Sequence, residues 1–91
     1  MKKLPTRAQI EEWLEEREET VFLADGLDAA FLGIINRCGQ KPVAIYDREQ
    51  CLRTMVKDGM TRDEAEEYFD FNTQGAWVGE QTPGYLERIE S

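Results

Sequence analysis

The chain has 91 residues, of which 41% are hydrophobic, and this length and composition predict one small domain spanning residues 1–91. Nineteen acidic residues against eleven basic ones give a net charge of −8, which argues against a nucleic-acid ligand because phosphates need clustered lysine and arginine. A domain of this size is only marginally stable alone, so a homo-oligomer or a complex with a partner protein is expected.

The residue types also argue against several kinds of site and location. No stretch approaches the roughly 20 apolar residues of a membrane span, and the first residues, MKKLPTRAQ, lack the apolar part of a secretory signal. We therefore expect a cytoplasmic protein whose two cysteines, Cys38 and Cys51, stay reduced. Histidine is absent, and two cysteines without a CxxC pair are too few for a structural zinc site. No metal, cofactor or catalytic residue is predicted.

Residues 1–19 are predicted to form an acidic helical region. A helix is expected from Thr6 to about Glu18, because Thr6 and Gln9 have the spacing of a weak capping box and a narrow apolar stripe follows. Opposite the stripe lie glutamates at i, i+4 spacing, whose repulsion costs about 0.2–0.5 kcal/mol per pair. This face is either a solvated surface or an acidic docking surface that imitates nucleic-acid phosphates. The glutamates predicted to bind a partner are Glu11, Glu12, Glu15 and Glu16.

Three short strands are predicted after this helix, as a small antiparallel sheet. Residues 20–24, 29–37 and 43–46 are apolar or β-branched, and turn residues separate them. Residues 29–37 have no clear period, so a buried helix is the alternative there; a glycine and two adjacent isoleucines favour the strand. The aspartates near the ends of these strands are predicted to cap turns and helices, and convergence on a hard cation is the less favoured alternative. They are Asp25, Asp28 and Asp47.

Two helices joined by a tight corner are predicted between residues 47 and 71. Asp47 is placed to cap the first helix, and Gly59 to end it in left-handed backbone. Thr61 and Glu64 have the spacing of a capping box at the start of the second helix. The arrangement resembles a helix-turn-helix, but the second helix would carry five carboxylates towards the phosphates, so DNA binding is not expected.

An extended segment and a short tail are predicted at the end of the chain. Asn72 and Gly75 are expected to end the second helix, and residues 72–83 combine amides and glycines with Trp77. This segment either folds over the core and buries Trp77 or offers its ring and backbone N–H groups to a ligand or partner. Residues 85–91 are predicted as a tail that frays. The predicted fold class is α+β, with residues 20–84 as the core.

Three motifs follow one another in the second half of the chain: YDREQC, GMTRDEA and FNTQGAWVGEQTP. In this order they resemble a small-protein family that is widespread in phages and prokaryotic genomes. The resemblance covers residues 22–83 and leaves out the glutamate-rich helix and the tail. It implies a phage-type accessory protein in the host cytoplasm, and small acidic proteins of this kind often act on host machinery or host defence.

Two functions of different classes are predicted. The first is a non-enzymatic protein that binds and modulates a host or defence protein through its acidic surface and Trp77. The alternative is a protein that binds or sequesters a nucleotide-like ligand, because a guanidinium offers a bidentate fork to phosphate; its arginines otherwise form surface pairs with aspartates. A small enzyme that uses carboxylates is the least favoured. The residues of the alternative ligand site are Arg37, Tyr46, Arg48, Asn72 and Trp77.

Overall fold

The computed structural model describes residues 4–73 and 78–89. It confirms the predicted α+β fold class, with an N-terminal helix, a three-stranded sheet and a helical pair. A 3₁₀ turn, Asp28–Ala30, precedes the first strand, and a π-helical turn, Phe69–Thr73, continues the last helix. The helices are α1 (Arg7–Glu16), α2 (Arg48–Lys57) and α3 (Arg62–Tyr68), and the strands are β1 (Phe31–Ile35), β2 (Val43–Asp47) and β3 (Gly84–Leu86).

The helix starts follow the capping residues in the sequence at two of three places. The Thr6 hydroxyl accepts a hydrogen bond from the Gln9 N–H, and the Gln9 side chain accepts one from the Thr6 N–H. Thr61 and Glu64 form the same reciprocal pair at the start of α3. Both predicted capping boxes are confirmed. Asp47 stands at the N-cap position of α2, but its side chain makes no capping hydrogen bond.

The prediction of a strand at residues 20–24 is wrong, because this segment hydrogen-bonds to side chains instead of to a neighbouring strand. The Ala24 N–H donates to the Tyr46 hydroxyl at 2.9 Å. The Gln81 side chain donates to the Thr20 carbonyl at 2.9 Å and to the Pro42 carbonyl at 3.0 Å. The segment therefore runs alongside the fold without joining the sheet.

The sheet is mixed rather than antiparallel throughout. β1 pairs antiparallel with β2, as predicted, with Phe31 opposite Tyr46. The third strand is β3, which pairs parallel with β2 and includes the first two residues of the stretch predicted as a frayed tail. Tyr85 lies opposite Tyr46 in this ladder. A Cβ on Gly84 would lie 2.9 Å from Cδ1 of Ile45, so a larger residue here would require the end of the Ile45 side chain to shift.

Five aromatic rings form a continuous row, called here the aromatic row. The Trp13 ring meets Phe31 edge-on at 6.1 Å between centroids, and Phe31 meets Tyr46 edge-on at 5.7 Å. Tyr46 stacks with Tyr85 at 5.9 Å, and Tyr85 meets Phe69 edge-on at 5.0 Å. Such pairs contribute about 0.5–1.5 kcal/mol each beyond the area they bury. The aromatic row joins α1 to all three strands and to the π-helical turn, which explains why the tail is anchored as a strand.

The main core lies against the aromatic row and includes the buried face of the two-helix corner. Burial raises the pKa of the Cys51 thiol to about 12, with the nearby Asp47 carboxylate as the second cause. That thiol is therefore protonated at neutral pH, whereas Cys38 is exposed. The core consists of Leu27, Ala30, Ala44, Tyr46, Cys51, Leu52, Met55, Ala65 and Phe69.

The corner between α2 and α3 has the predicted glycine geometry. Gly59 has a φ of 115°, and the Met60 N–H donates to the Met55 carbonyl at 3.2 Å, which closes the end of α2. Arg62 forms a bidentate pair with Glu49 at 2.7 and 2.9 Å, and so connects α3 to α2. Hydrogen bonding from Arg62 holds the pKa of Glu49 below its usual range.

The helical stretch after this corner changes from α-helical to π-helical geometry before it ends. Regular α3 ends at Tyr68, and the π-helical turn carries the chain past Asn72 to Thr73. The predicted helix stop at Gly75, and the segment with Trp77, lie outside the described residues. No helix in the described part of the chain has the length and apolarity to cross a membrane.

The hydroxyl of Tyr46 provides a test of the fold. Tyr46→Phe removes the acceptor of the Ala24 N–H, and we expect the free energy of unfolding to fall by about 1 kcal/mol. Tyr46→Ala also removes the central ring, and we expect a loss of about 3–5 kcal/mol. Urea unfolding followed by circular dichroism measures both losses.

The matched control for this test is Tyr68→Phe, because the Tyr68 side chain is 46% exposed. We expect that change to stay within about 0.5 kcal/mol of the wild type. Equal effects of the two Tyr→Phe substitutions would contradict the role given to the Tyr46 hydroxyl.

Candidate functional site

The negative charge of the chain is concentrated in and just after α1. Residues 11–19 contain six of the nineteen acidic residues, and Arg17 is the only basic residue among them. This stretch alone therefore carries a net charge of −5 out of the total of −8. The remaining residues carry a net charge of −3. They include a second acidic run, residues 63–70, in which Glu66 and Asp70 pair with Arg62 and Arg48. The stretch in and just after α1 is therefore distinguished by carboxylates that form no ion pair in the described residues.

α1 is docked on the fold by its apolar stripe and its first turn. Ile10 is 2% exposed and Leu14 is 6% exposed. Arg7 forms ion pairs with Asp25 and with Asp28, each at 3.3 Å. These contacts, with the Trp13 end of the aromatic row, fix which face of α1 is turned to solvent.

The glutamates of this stretch stay without internal partners. Within residues 4–73 and 78–89, none of the six takes part in an ion pair, and all but Glu19 are exposed. By contrast, Glu49 and Glu66 are paired with Arg62. No cation in the described part of the fold forms an ion pair with these glutamates, so among the described residues the repulsion along α1 is reduced only by the nearby charge of Arg17.

Glu18 adds a second local cost at the end of α1. Its φ is 56°, and it is the one non-glycine residue in the described ranges with a positive φ. The Glu18 N–H donates to the Glu15 carbonyl and the Glu19 N–H to the Leu14 carbonyl, both at 3.0 Å, which is a Schellman ending. Gly59 occupies the same position at the end of α2. A side chain there costs about 1–2 kcal/mol, and a carboxylate at a helix C-terminus is unfavourable as well.

A groove of about 460 Å³ lies between α1 and the extended segment that follows it. Its apolar lining is Leu14, Val21 and Leu23. A lysine or arginine side chain suits this shape, because its aliphatic stem packs on apolar surface while its charged head meets carboxylates. The acidic side chains that line the groove are Glu11, Glu15, Glu18 and Glu19.

The four glutamates predicted to bind a partner fall into two rows. Glu11 and Glu15 line the groove, whereas Glu12 and Glu16 do not. Glu12 and Glu16 are one and three residues from Trp13 along α1. Trp13 is 39% exposed, and the Arg17 guanidinium lies 4.9 Å from the centroid of its ring. Trp77, the fifth predicted contact, lies outside the described residues.

Of the residues predicted for the alternative ligand site, the four that the structure describes are not brought together in one pocket. Arg48 lies over the Phe69 ring at 5.3 Å and pairs with Asp70 and Glu87, each at 3.5 Å. Arg37 follows the far end of β1, where Ile35 pairs with Val43, so the two arginines lie at opposite ends of the β1–β2 ladder. These contacts within the fold explain the position of the Arg48 side chain without a ligand.

Tyr46 and Asn72 are also separated from a common site. The Tyr46 side chain is fully buried, and its hydroxyl already accepts the Ala24 N–H. Burial raises the pKa of Tyr46. Asn72 lines a groove beside Met60 and Tyr68, and neither Arg37 nor Arg48 lines that groove.

Arg37 instead lines a cleft of about 790 Å³ at the end of the β1–β2 hairpin. Lys41 lies in the same cleft, and neither cation forms an ion pair in the described parts of the chain. Sequence reasoning missed Lys41, since its neighbours read as an ordinary loop. The cleft is lined by Ile35, Arg37, Gly39, Gln40, Lys41, Val43, Glu80 and Thr82.

The three aspartates that were weighed as cation ligands have other neighbours. Asp25 and Asp28 face Arg7, and Asp47 faces Arg88 at 3.6 Å. Among the residues that the structure describes, no three acidic or cysteine side chains are grouped closely enough to hold a metal ion.

Comparisons of the chain with protein-family models, with curated proteins and with solved structures found no match. The candidate surface is therefore identified by exposure, unpaired charge and local conformational cost. By these criteria the strongest candidate is the acidic surface of α1 and of the turn that ends it, called here the acidic face of α1. It consists of Glu11, Glu12, Glu15, Glu16 and Glu18.

The backbone of Glu18 supplies a prediction for this surface. Glu18→Gly removes the cost of left-handed backbone at a residue with a side chain, and it removes a carboxylate from the end of α1. We therefore expect the free energy of unfolding to rise by about 0.5–1 kcal/mol. Glu12→Gly removes the same charge but places glycine inside the helix, and we expect a loss of about 1 kcal/mol. Chemical denaturation of the two variants measures these opposite signs; a loss of stability in both would contradict the strain assigned to Glu18.

Proposed function

We propose that this chain is a non-enzymatic protein that binds a basic surface of a partner protein through the acidic face of α1 and so modulates that partner. The observation that supports it is a docked helix whose exposed glutamates have no cation partner in the described part of the fold. Lysines and arginines of a partner would relieve the repulsion that the free protein tolerates.

Binding of this kind has two physical stages. The field of residues 11–19 first steers a basic surface towards α1 and raises the association rate, an effect that salt weakens because charges are screened over about 8 Å at physiological ionic strength. A cationic side chain of the partner then enters the groove that Glu11 and Glu15 line, and its aliphatic stem packs against Leu14. The second stage provides specificity, because only a protruding lysine or arginine can pack its stem against Leu14 and bring its charged head to the carboxylates of Glu11 and Glu15.

The class of partner follows from the resemblance of residues 22–83 to small phage and prokaryotic proteins. A phage-type accessory protein works in the host cytoplasm on host machinery or on a defence protein, and many such targets expose basic surfaces that otherwise hold nucleic acid. An acidic helix competes for such a surface by presenting carboxylates in place of phosphates. This is our preferred assignment of partner and location.

Charge reversal on α1 tests the proposal. The partner is first captured from host lysate with the tagged protein at low salt, identified, and its affinity measured by calorimetry with purified components. We expect the double substitution Glu11→Lys and Glu15→Lys to weaken that affinity at least about tenfold. Added salt should lower the affinity of the wild type towards that of the variant.

The control for this experiment reverses an i, i+4 pair on α3 instead. Asp63 and Glu67 are exposed and have no ion pair in the described parts of the chain, so changing both to lysine alters the net charge equally. We expect this variant to bind within about threefold of the wild type. Equal losses in both variants, or no loss in the α1 variant, would contradict the assigned surface.

A second candidate function is binding of a nucleotide-like ligand in the cleft beside Arg37. The observation that favours it is that Arg37 and Lys41 share this cleft without ion pairs in the described residues, with Ile35 and Val43 as an apolar wall. Two cations and an apolar wall suit a phosphate attached to a flat apolar group. Arg48, which is already paired, has no part in this version of the site.

The ligand proposal predicts a difference between the two arginines. Titration with a fluorescent ADP analogue should show binding that Arg37→Ala weakens at least about tenfold, because a charged hydrogen bond is lost. Arg48→Ala should leave that affinity unchanged. The absence of saturable binding to the wild type, or equal effects of the two substitutions, would exclude this cleft as the site.

A further inference from the structure

β1 is an edge strand with one open side. It pairs with β2 alone, and in the described ranges no other strand lies along its second edge. The outward backbone N–H and C=O groups of such a strand are a template for another strand.

This edge strand is short and has a bulge, but it lacks the charged residues and the proline with which edge strands also prevent pairing. Residues 29–36 contain no charged side chain and no proline. Leu32 is 45% exposed and Ile35 is 44% exposed, so the strand presents apolar side chains to solvent. The single irregularity is a bulge between Phe31 and Gly33, at one end of the strand.

We propose that β1 of one copy pairs antiparallel with β1 of a second copy, which makes the chain a two-fold symmetric dimer with a continuous six-stranded sheet. Two-fold symmetry requires the antiparallel direction, because the same strand meets itself about its own centre. The strand order across the dimer would be β3, β2, β1, β1, β2, β3. This inference does not depend on the proposed function.

Charge complementarity favours a second copy as the occupant of the edge. Antiparallel pairing places the residues after Ile35 beside the start of β1 in the other copy. Arg37 lies two residues beyond β1 and has no ion pair in the described part of the chain. At the start of β1, Phe31 contacts Trp13 of α1. Glu12 and Glu16, which neighbour Trp13 on α1, form no ion pair in the described ranges, and the one cation at this place is Arg17, which lies over the Trp13 ring.

Symmetry repeats this match of opposite charges at both ends of the contact. It offsets the repulsion between two chains that each carry a net charge of −8. The dimer would use the row of Glu12 and Glu16, so the groove lined by Glu11 and Glu15 stays open to another protein.

Sedimentation equilibrium over a range of protein concentrations tests the dimer directly. We expect the mass to rise from that of the 10.5 kDa monomer to twice that value as concentration increases. Hydrogen exchange over the same range should show added protection of amides within residues 31–35. A monomer at every concentration would overturn the proposal, and so would a dimer whose β1 amides gain no protection.

Single lysine substitutions locate the contact. Leu32→Lys places a charge on the open edge, and we expect the dimer dissociation constant to rise at least about tenfold. The control is Val56→Lys on α2, because Val56 is 40% exposed and the charge change is the same; its constant should match the wild type. Circular dichroism confirms that each variant is folded. Equal dissociation constants for the two variants would overturn the assignment to β1.

Discussion

The buried ring of Tyr46 is the contact on which the other elements depend. It lies on the central strand, between Phe31 of β1 and Tyr85 of β3, and its hydroxyl accepts the Ala24 N–H from the segment that follows α1. Through Phe31 the aromatic row reaches Trp13 on α1. One side chain therefore connects the sheet, the tail and the acidic helix, and a small chain with a modest core obtains a defined arrangement from it.

This arrangement gives the acidic helix a fixed orientation. Without the apolar contacts of Ile10 and Leu14, a helix with such repulsion and no basic residue in its last turn would be weak in isolation. Docking keeps it helical and leaves the carboxylates in solvent. Glu18 likewise keeps a left-handed backbone conformation that lowers the stability of the fold. Strained residues of this kind are concentrated on surfaces that have a role other than stability.

Local signals in the sequence predicted local structure well. The capping residues Thr6 and Thr61 and the corner glycine Gly59 act within a few residues of chain. The starts of α1 and α3 and the end of α2 could therefore be predicted from the sequence. The strand β3 was missed because its stability comes from the distant Tyr46, and residues 20–24 because side chains far along the chain bind their backbone. The glutamate rows could be read from spacing, whereas the pairing of Arg48 and the cleft shared by Arg37 and Lys41 depend on tertiary packing.

The most direct test of this account is the set of through-space proton contacts between aromatic rings in solution. Nuclear Overhauser spectra of the labelled protein should connect the rings of Trp13 and Phe31, and those of Tyr46 and Tyr85, in one continuous series. That result would establish that α1 is docked with its carboxylates outward. If the Trp13 ring showed no contact with Phe31 while the sheet remained folded, the helix would be detached, and the fixed acidic surface on which the proposed function rests would be contradicted.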